Sequence, residues 1–373
     1  MKEIKYKKEK TIDVLFICLC ALLLLSVGVC VYALPSKDFS EEENRALADM
    51  PDLSVRSLLS GEFFRGLSDF YSDNIPLRRQ MISVKALCEL SLGKQQNNGV
   101  VFCSDGRLVD RCRYDSTDTL RGNLEAIRTL FQQYGNTVCR RVPRSVDVCT
   151  QPLPLYPSEE ARGVTDTVKQ FGLYNEQFVS SLSADSYYKT DHHLTSSGAY
   201  LLYRSLSEEL NFTPYGSADF DVTQVSNVFL GSTYSKAGLI ATDYDTVELF
   251  RYHGDDAYTV RCSDSGCLLC SLYDTSKLSQ KDKYQVFLGG NHGLVSICSS
   301  DGAEKPRLLI IKDSFANAVI PFLARHFDLT VVDPRYCSTS LSDMLELSDY
   351  DRVLFICGVD TLATNGAFKR FLR

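Results

Sequence analysis

The 373-residue chain carries 40 Lys and Arg against 47 Asp and Glu, a formal net charge of -7. That balance argues against nucleic acid as a partner, because phosphate binding needs a positive surface. At 44% hydrophobic and without a low-complexity tract, the composition is that of a globular chain, long enough for one large domain or two small ones.

The first ten residues, MKEIKYKKEK, hold five Lys against two Glu, and the 21 residues from Val14 to Leu34 then run without a charge. Crossing a bilayer core takes about 20 apolar residues, and the Lys cluster in front is expected to stay cytoplasmic. A cleavable signal peptide usually has an apolar core of only about 7–15 residues, although Val31-Tyr32-Ala33 would suit a peptidase. The reading is a cytoplasmic tail at 1–12 and a retained signal-anchor at 13–34, placing everything after Pro35 outside the cytoplasm. The bilayer is then a partner through this helix, and the chain is a single-pass cell-membrane protein with an extracellular main domain. Of the 14 Cys, three lie in the apolar run. CxxC at Cys267 and Cys270 could form a local disulfide or half a zinc site, but no second pair completes four ligands.

Residues 35–95 read as a membrane-proximal helical region. Ser40 with Glu43 suggests a capping box. Leu58, Leu59, Phe63, Phe64, Leu67, Phe70 and Tyr71 recur at helical spacing, Asn74-Ile75-Pro76 breaks the pattern, and a second helix spans about 78–92.

From 96 to 373 the pattern becomes α/β. A hairpin is expected over 100–109, a helix over 117–134, a strand over 137–142 and helix over 159–183. Thr195 can cap a helix running to Leu210. Residues 220–300 alternate in short runs (226–230, 246–252, 258–262, 266–272, 284–288, 294–297), which predicts an antiparallel β insertion or sheet extension. The tail predicts strand 307–312, helix 315–327, strand 329–333, helix 340–347 and strand 352–357. The expected fold is α/β: a doubly wound parallel sheet with that insertion, its ligands at the C-terminal strand ends.

Ser314 stands at the sharp turn between an apolar strand and a helix, in LLIIKDSFANAVIPFL. There its hydroxyl would sit above the sheet edge, with N–H groups of a helix start nearby for an oxyanion. Asp313 or Ser314 acting only as a helix cap is the competing reading. A Ser nucleophile needs an imidazole base and an orienting carboxylate. Of the five His, His253 and His292 lie in turn-like contexts, and His326 is expected to favour a helix C-terminus. Asp191-His192-His193 puts acid and imidazole two residues apart on a loop; a surface loop or metal ligands remain alternatives. GSTYS (231–235) mimics a nucleophile motif, but Ser232 follows a weak strand and no helix, so it ranks below Ser314.

YYKTDHHLTSSGAY resembles the signature of the DHHW proteins of Gram-positive bacteria, with Leu194 in place of Trp in a chain that has no Trp. The resemblance continues through FSEEENR (39–45), YSDNIPLR (71–78), VFLGGNHGLV (286–295), KDSFANAVIPFL (312–323), VVDPRY (331–336) and YDRVLFICG (350–358). That family is similar in turn to the SGNH-hydrolase-like proteins of alginate O-acetylation, whose triad runs Asp-x-His, then Ser. The resemblance implies an SGNH-hydrolase-like domain in which Asp191, His193 and Ser314 are catalytic, with His192 as the other candidate base. It implies an oxyanion site from the Ser314 N–H and the Gly290-Asn291 segment. Lys189, Arg335 and Tyr336 would line the mouth, and neither metal nor cofactor is expected. The implied activity is acetyl transfer to a polysaccharide, with the acyl group supplied by a membrane-bound O-acyltransferase. An O-acetyl esterase is the alternative within enzymes. A catalytically silent glycan-binding scaffold is the alternative outside them.

Overall fold

The computed structural model describes residues 2–33, 38–40, 45–111, 114, 116–148, 159–238, 243–253, 258–263, 266–300 and 304–372. The chain forms two compact units, residues 1–93 with 238–240, and residues 94–237 with 241–373.

In the first unit, helix Lys2–Ala33 contains the span Ile12–Ala33, which among the described residues is long and apolar enough to cross a membrane. Phe39–Ser40 pairs antiparallel with Arg45–Ala46, so Ser40 lies in a strand, and Glu43 falls outside the described residues. The amphipathic stretch forms two helices, Val55–Ser60 and Glu62–Asn74, divided at Gly61, whose φ of 75° is open to a residue without Cβ. The capping box belongs to Ser54 and Ser57: each hydroxyl accepts from the other's backbone N–H at 3.0 Å. A further helix spans Arg78–Ser91.

In the second unit, strands Gln96–Asn97, Val100–Phe102 and Leu108–Asp110 make a small meander. The main sheet has seven strands: β1 Thr137–Val142, β2 Tyr258–Cys262, β3 Cys267–Leu269, β4 Leu294–Ser299, β5 Arg307–Lys312, β6 Asp328–Val332 and β7 Arg352–Gly358. Their order is β3-β2-β4-β6-β5-β7-β1. β6, β5, β7 and β1 are mutually parallel, whereas β4, β2 and β3 extend that block antiparallel. The sheet is therefore mixed, not all parallel. Part of the β-rich insertion supplies its edge, and the rest, Phe220–Phe229 with Asp245–Tyr252, forms a separate antiparallel ribbon.

Both faces are covered, as the unbroken apolar run of β5 requires. Leu308 and Ile310 join one core with Leu354 and Ile356; Leu309 and Ile311 join the other with Val353 and Phe355. The β5–β6 connection buries Val319, Ile320 and Phe322 in the first core, and the β6–β7 connection buries Leu341 in the second. The chain reverses direction across the sheet at this point, so right-handed crossovers fall on opposite faces. The turns leaving β5, β6 and β7 thus gather at one sheet edge.

Several elements depart from expectation. The helix after Ser314 is a 3₁₀ turn, Ser314–Ala316, followed by helix Ile320–Leu323. Pro321 cannot donate to the turn before it, so a helix can only begin there. Helix 340–347 shortens to Leu341–Met344 behind the Ser340 cap. Residues 159–183 divide into helices Glu159–Gln170 and Glu176–Ser181 around Gly172, and 195–210 into Ser196–Ser205 and Ser207–Leu210. The strand expected over 284–288 is a 3₁₀ turn, Lys283–Val286, followed by three positive φ values at Leu288, Gly289 and Gly290.

Candidate active site

The Lys189–Leu194 loop is closed at its base. Tyr187 bridges Leu194, and the Tyr188 N–H donates to the His193 carbonyl at 3.2 Å. Asp245 holds its first half, accepting from the N–H groups of Lys189 (2.8 Å) and Thr190 (2.7 Å) and from the Thr190 hydroxyl (2.6 Å). The Leu108 N–H binds the Lys189 carbonyl at 2.8 Å, tying the small meander to the loop.

Within that frame, Asp191, His193 and Ser314 meet across 121 positions of sequence. Asp191 Oδ1 lies 2.5 Å from His193 Nδ1, and His193 Nε2 lies 2.8 Å from Ser314 Oγ. The three residues are 3%, 7% and 9% exposed. Burial acts to raise the Asp191 pKa, but His193, His192 and the hydrogen bonds from His193 and Ser232 outweigh it, holding the carboxyl well below the ordinary range. An ionised Asp191 only accepts. His193 Nδ1 therefore carries the proton, and Nε2 is left to accept from the Ser314 hydroxyl.

GSTYS supplies the other half of the Asp191 cradle. Asp191 Oδ2 accepts from the Ser232 N–H at 2.7 Å and the Ser232 hydroxyl at 2.9 Å. Ser232 opens helix Ser232–Ala237 directly after the ten-residue strand Phe220–Phe229, so its setting is strand and helix, contrary to the sequence reading. A Cβ on Gly231 would come within 2.3 Å of Asp191 Oδ2, so only glycine lets the chain pass. His192 is not hydrogen-bonded to Ser314; its Nδ1 lies 2.7 Å from Ser232 Oγ. Tyr284 stacks on His193, with ring centroids 3.9 Å apart and planes at 7°, and donates its hydroxyl to the Ser314 carbonyl at 3.0 Å.

At the nucleophile turn the capping role falls to Asp313. Its carboxylate accepts from the N–H of Phe315 (3.0 Å) and of Gly358 at the end of β7 (2.8 Å), leaving the Ser314 side chain to His193. The Ser314 N–H has no hydrogen-bond partner among the described residues. Asn291 Oδ1 accepts from Lys312 Nζ (3.4 Å) and Asn317 Nδ2 (3.1 Å), which sets the flip of its amide and leaves Nδ2 without a partner among those residues. Lys312, 1% exposed, also reaches Asn317 Oδ1 (2.8 Å) and Asp333 Oδ2 (3.4 Å); burial lowers its pKa and Asp333 opposes this.

The remaining expected residues divide. The Gly290 N–H donates to the Phe287 carbonyl at 3.2 Å, so it closes a turn and is not an open oxyanion donor. Arg335 binds Asp333 (Nη2–Oδ2 2.7 Å), beside Lys312, and lies over the ring of the exposed Tyr336. Lys189 contributes backbone bonds to the loop. His326 is no helix-dipole cation: its ring stacks among Tyr203, Phe212 and Tyr215, and burial, with Lys305 and Arg325, pushes it down to about 4. His253 pairs with the exposed Asp221. The Cys267 side chain lies outside the described residues. Asp191, His192 and His193 offer ligand atoms within 4.8 Å of one another. Both Asp191 oxygens and both His193 nitrogens are hydrogen-bonded, to one another or to Ser232 and Ser314.

Comparison with known proteins follows the same residues. Residues 167–332 match the family model described as DHHW protein. Several solved structures are similar in fold, among them these three. A DHHW family protein from Eubacterium siraeum has a TM-score of 0.56 at 20% identity, over 74% of this chain and 95% of that one. Bacillus cereus PatB1 has a TM-score of 0.58 at 17% identity, over 73% and 99%. PatB1 with a sulfonyl adduct gives 0.54 at 20% identity, over 73% and 97%. No curated protein matches the sequence.

Proposed function

We propose that the chain is an SGNH-hydrolase-like O-acyltransferase that moves an acetyl group onto a polysaccharide hydroxyl. The observation that carries this reading is the continuous relay Asp191 Oδ1–His193 Nδ1 (2.5 Å) and His193 Nε2–Ser314 Oγ (2.8 Å). The DHHW match and the fold likeness to PatB1 are consistent with it.

In the first step His193 Nε2 takes the proton of Ser314 as Oγ attacks the ester carbonyl. The oxyanion is met by the Ser314 N–H and Asn291 Nδ2, two donors without a partner among the described residues. Collapse expels the donor alkoxide, which takes the proton from His193, and leaves an acyl-Ser314. An incoming sugar hydroxyl then gives its proton to His193 while its oxygen attacks the acyl carbon. The Ser314 C–O bond breaks, and the proton returns to Oγ. Asp191 holds the imidazolium in both half-reactions. Helix Ile12–Ala33 would anchor the chain in the bilayer, with the catalytic unit on the outer face. There it could take its acyl group from a membrane-bound O-acyltransferase.

The test is hydrolysis of 4-nitrophenyl acetate by the full chain in detergent, with mass spectrometry for acyl-Ser314 and for sulfonyl fluoride labelling. Ser314→Ala is expected to lower turnover by about 10³-fold or more and to abolish both adducts. Absence of turnover and adduct in the native chain would refute the enzyme reading in favour of a silent surface domain. Release of acetate alone, with an oligosaccharide present, would make the protein an esterase.

A further inference from the structure

His192 takes no part in the relay, yet its protonation pattern is determined by its neighbours. Ser232 has one hydroxyl proton, and its Oγ lies 2.9 Å from Asp191 Oδ2 and 2.7 Å from His192 Nδ1. A carboxylate can only accept, so that proton goes to Asp191, and the Ser232 lone pair must accept from a proton on His192 Nδ1. In the neutral ring Nε2 then carries a bare lone pair. Burial and the neighbouring His193 push the ring down to about 4, with Asp191 and Asp110 opposing, so it is neutral at ordinary pH. His192 Nε2 makes no hydrogen bond among the described residues and is not among their buried, unpartnered polar atoms; the side chain is 39% exposed.

The two imidazoles are in contact, centroids 3.9 Å apart and planes tilted by 37°, and both flank Phe315. With both Nδ1 atoms engaged by Asp191 and Ser232, each ring presents an accepting Nε2 on its opposite edge: that of His193 to the Ser314 hydroxyl, and that of His192 on the partly exposed side of its ring. We infer that His192 Nε2 accepts a hydrogen bond from a second hydroxyl of the acyl acceptor, so that the site selects acceptors bearing a vicinal diol, as sugar rings do. The inference rests on the transferase reading above. His192 takes up no proton in either half-reaction. It is a positioning residue that orients the diol while the reacting oxygen surrenders its proton to His193.

The experiment measures partition of the acyl-enzyme between water and added alcohol, using full-length chain, 4-nitrophenyl acetate as donor, and 1,2-cyclohexanediol or its monomethyl ether as acceptor. One hydrogen bond corresponds to about tenfold, so the native chain should prefer diol over ether by about that factor. His192→Phe should abolish the preference, and His192→Gln, whose Oε1 can replace the lone pair, should restore part of it. Sulfonyl fluoride labelling of Ser314 reports that each variant is folded. A preference unchanged in His192→Phe, or a native chain with no preference, overturns the inference while leaving the enzyme reading intact. Absence of an acyl-Ser314 in the native chain instead removes the enzyme reading itself.

Discussion

Among the buried charges at the C-terminal edge of the sheet, Asp191 and Lys312 are accommodated in different ways. Asp191 is met by four donors, the N–H and Nδ1 of His193 and the N–H and hydroxyl of Ser232, with no Lys or Arg among its hydrogen-bond partners. Lys312 is met by two amide oxygens and by Asp333, which Arg335 also grips. The anion thus keeps its electrostatic demand for an imidazolium, the species that forms during proton transfer. The cation shares a carboxylate with Arg335 and holds Asn291, Asn317 and the turns after β5 and β6 in register. On the acyl-transfer reading, one cluster serves chemistry and the other geometry.

Replacement of Asp191 by Asn should produce the largest effect and break the comparison at its first half. The amide keeps the shape but brings an NH₂ group toward either His193 or the donors of Ser232, favouring the wrong imidazole tautomer. Turnover of 4-nitrophenyl acetate should fall by about 10³–10⁴-fold, with the urea midpoint moving far less in relative terms. Activity within tenfold of the native chain would mean that His193 does not depend on this carboxylate.

Lys312→Met should reverse the balance. Removing one partner of a buried pair costs about 3 kcal/mol or more, and here it leaves Asp333 with Arg335 alone and Asn291 Oδ1 with a single donor. The expected outcome is a large loss of stability, read by urea unfolding, with a smaller loss of turnover than in the Asp191 variant. A stability change below about 1 kcal/mol would show that Arg335 by itself satisfies Asp333.

The contrast also explains what the sequence could tell. Asp191 and His193 are two residues apart on one loop, and Ser314 follows an apolar strand, so both halves of the relay are visible as local patterns. The Lys312 cluster joins the ends of β5 and β6 to the Gly290-Asn291 turn, and no local spacing links those positions. The one signal was a lysine closing an otherwise apolar strand, LLIIK. Gly231 and Ser232 were noticed for the wrong reason: their motif looked like a second nucleophile and is instead the back wall of Asp191. Tyr284 left no signal, because a buried tyrosine stacked on an imidazole reads in sequence like any other core aromatic. Among the folds of the tail, the parallel strands were legible from their apolar runs. The break at Pro321 follows from a residue that cannot donate, whereas which of the short antiparallel runs join the sheet edge depended on tertiary pairing.

The smallest expected effect concerns pH and tests whether His192 shares the buried character of its neighbours. Unfolded histidine titrates near ~6.5, while folding pushes His192 and His326 down to about 4. Between those values the unfolded chain binds more protons than the folded one, so these two groups make stability fall as pH is lowered from ~6.5 toward 4 and contribute nothing to the slope above it. Asp245 and Asp282 act with the opposite sign. Burial raises their pKa values, so their contribution to stability is present in acid and is lost as pH rises through them. The urea midpoint should therefore drop between pH 7 and 4.5, and the drop should be smaller in His326→Gln. A midpoint flat over that range would mean that the carboxyls cancel the rings. An equal drop in the variant would mean that His326 adds nothing to the slope and would leave His192 as the ring responsible.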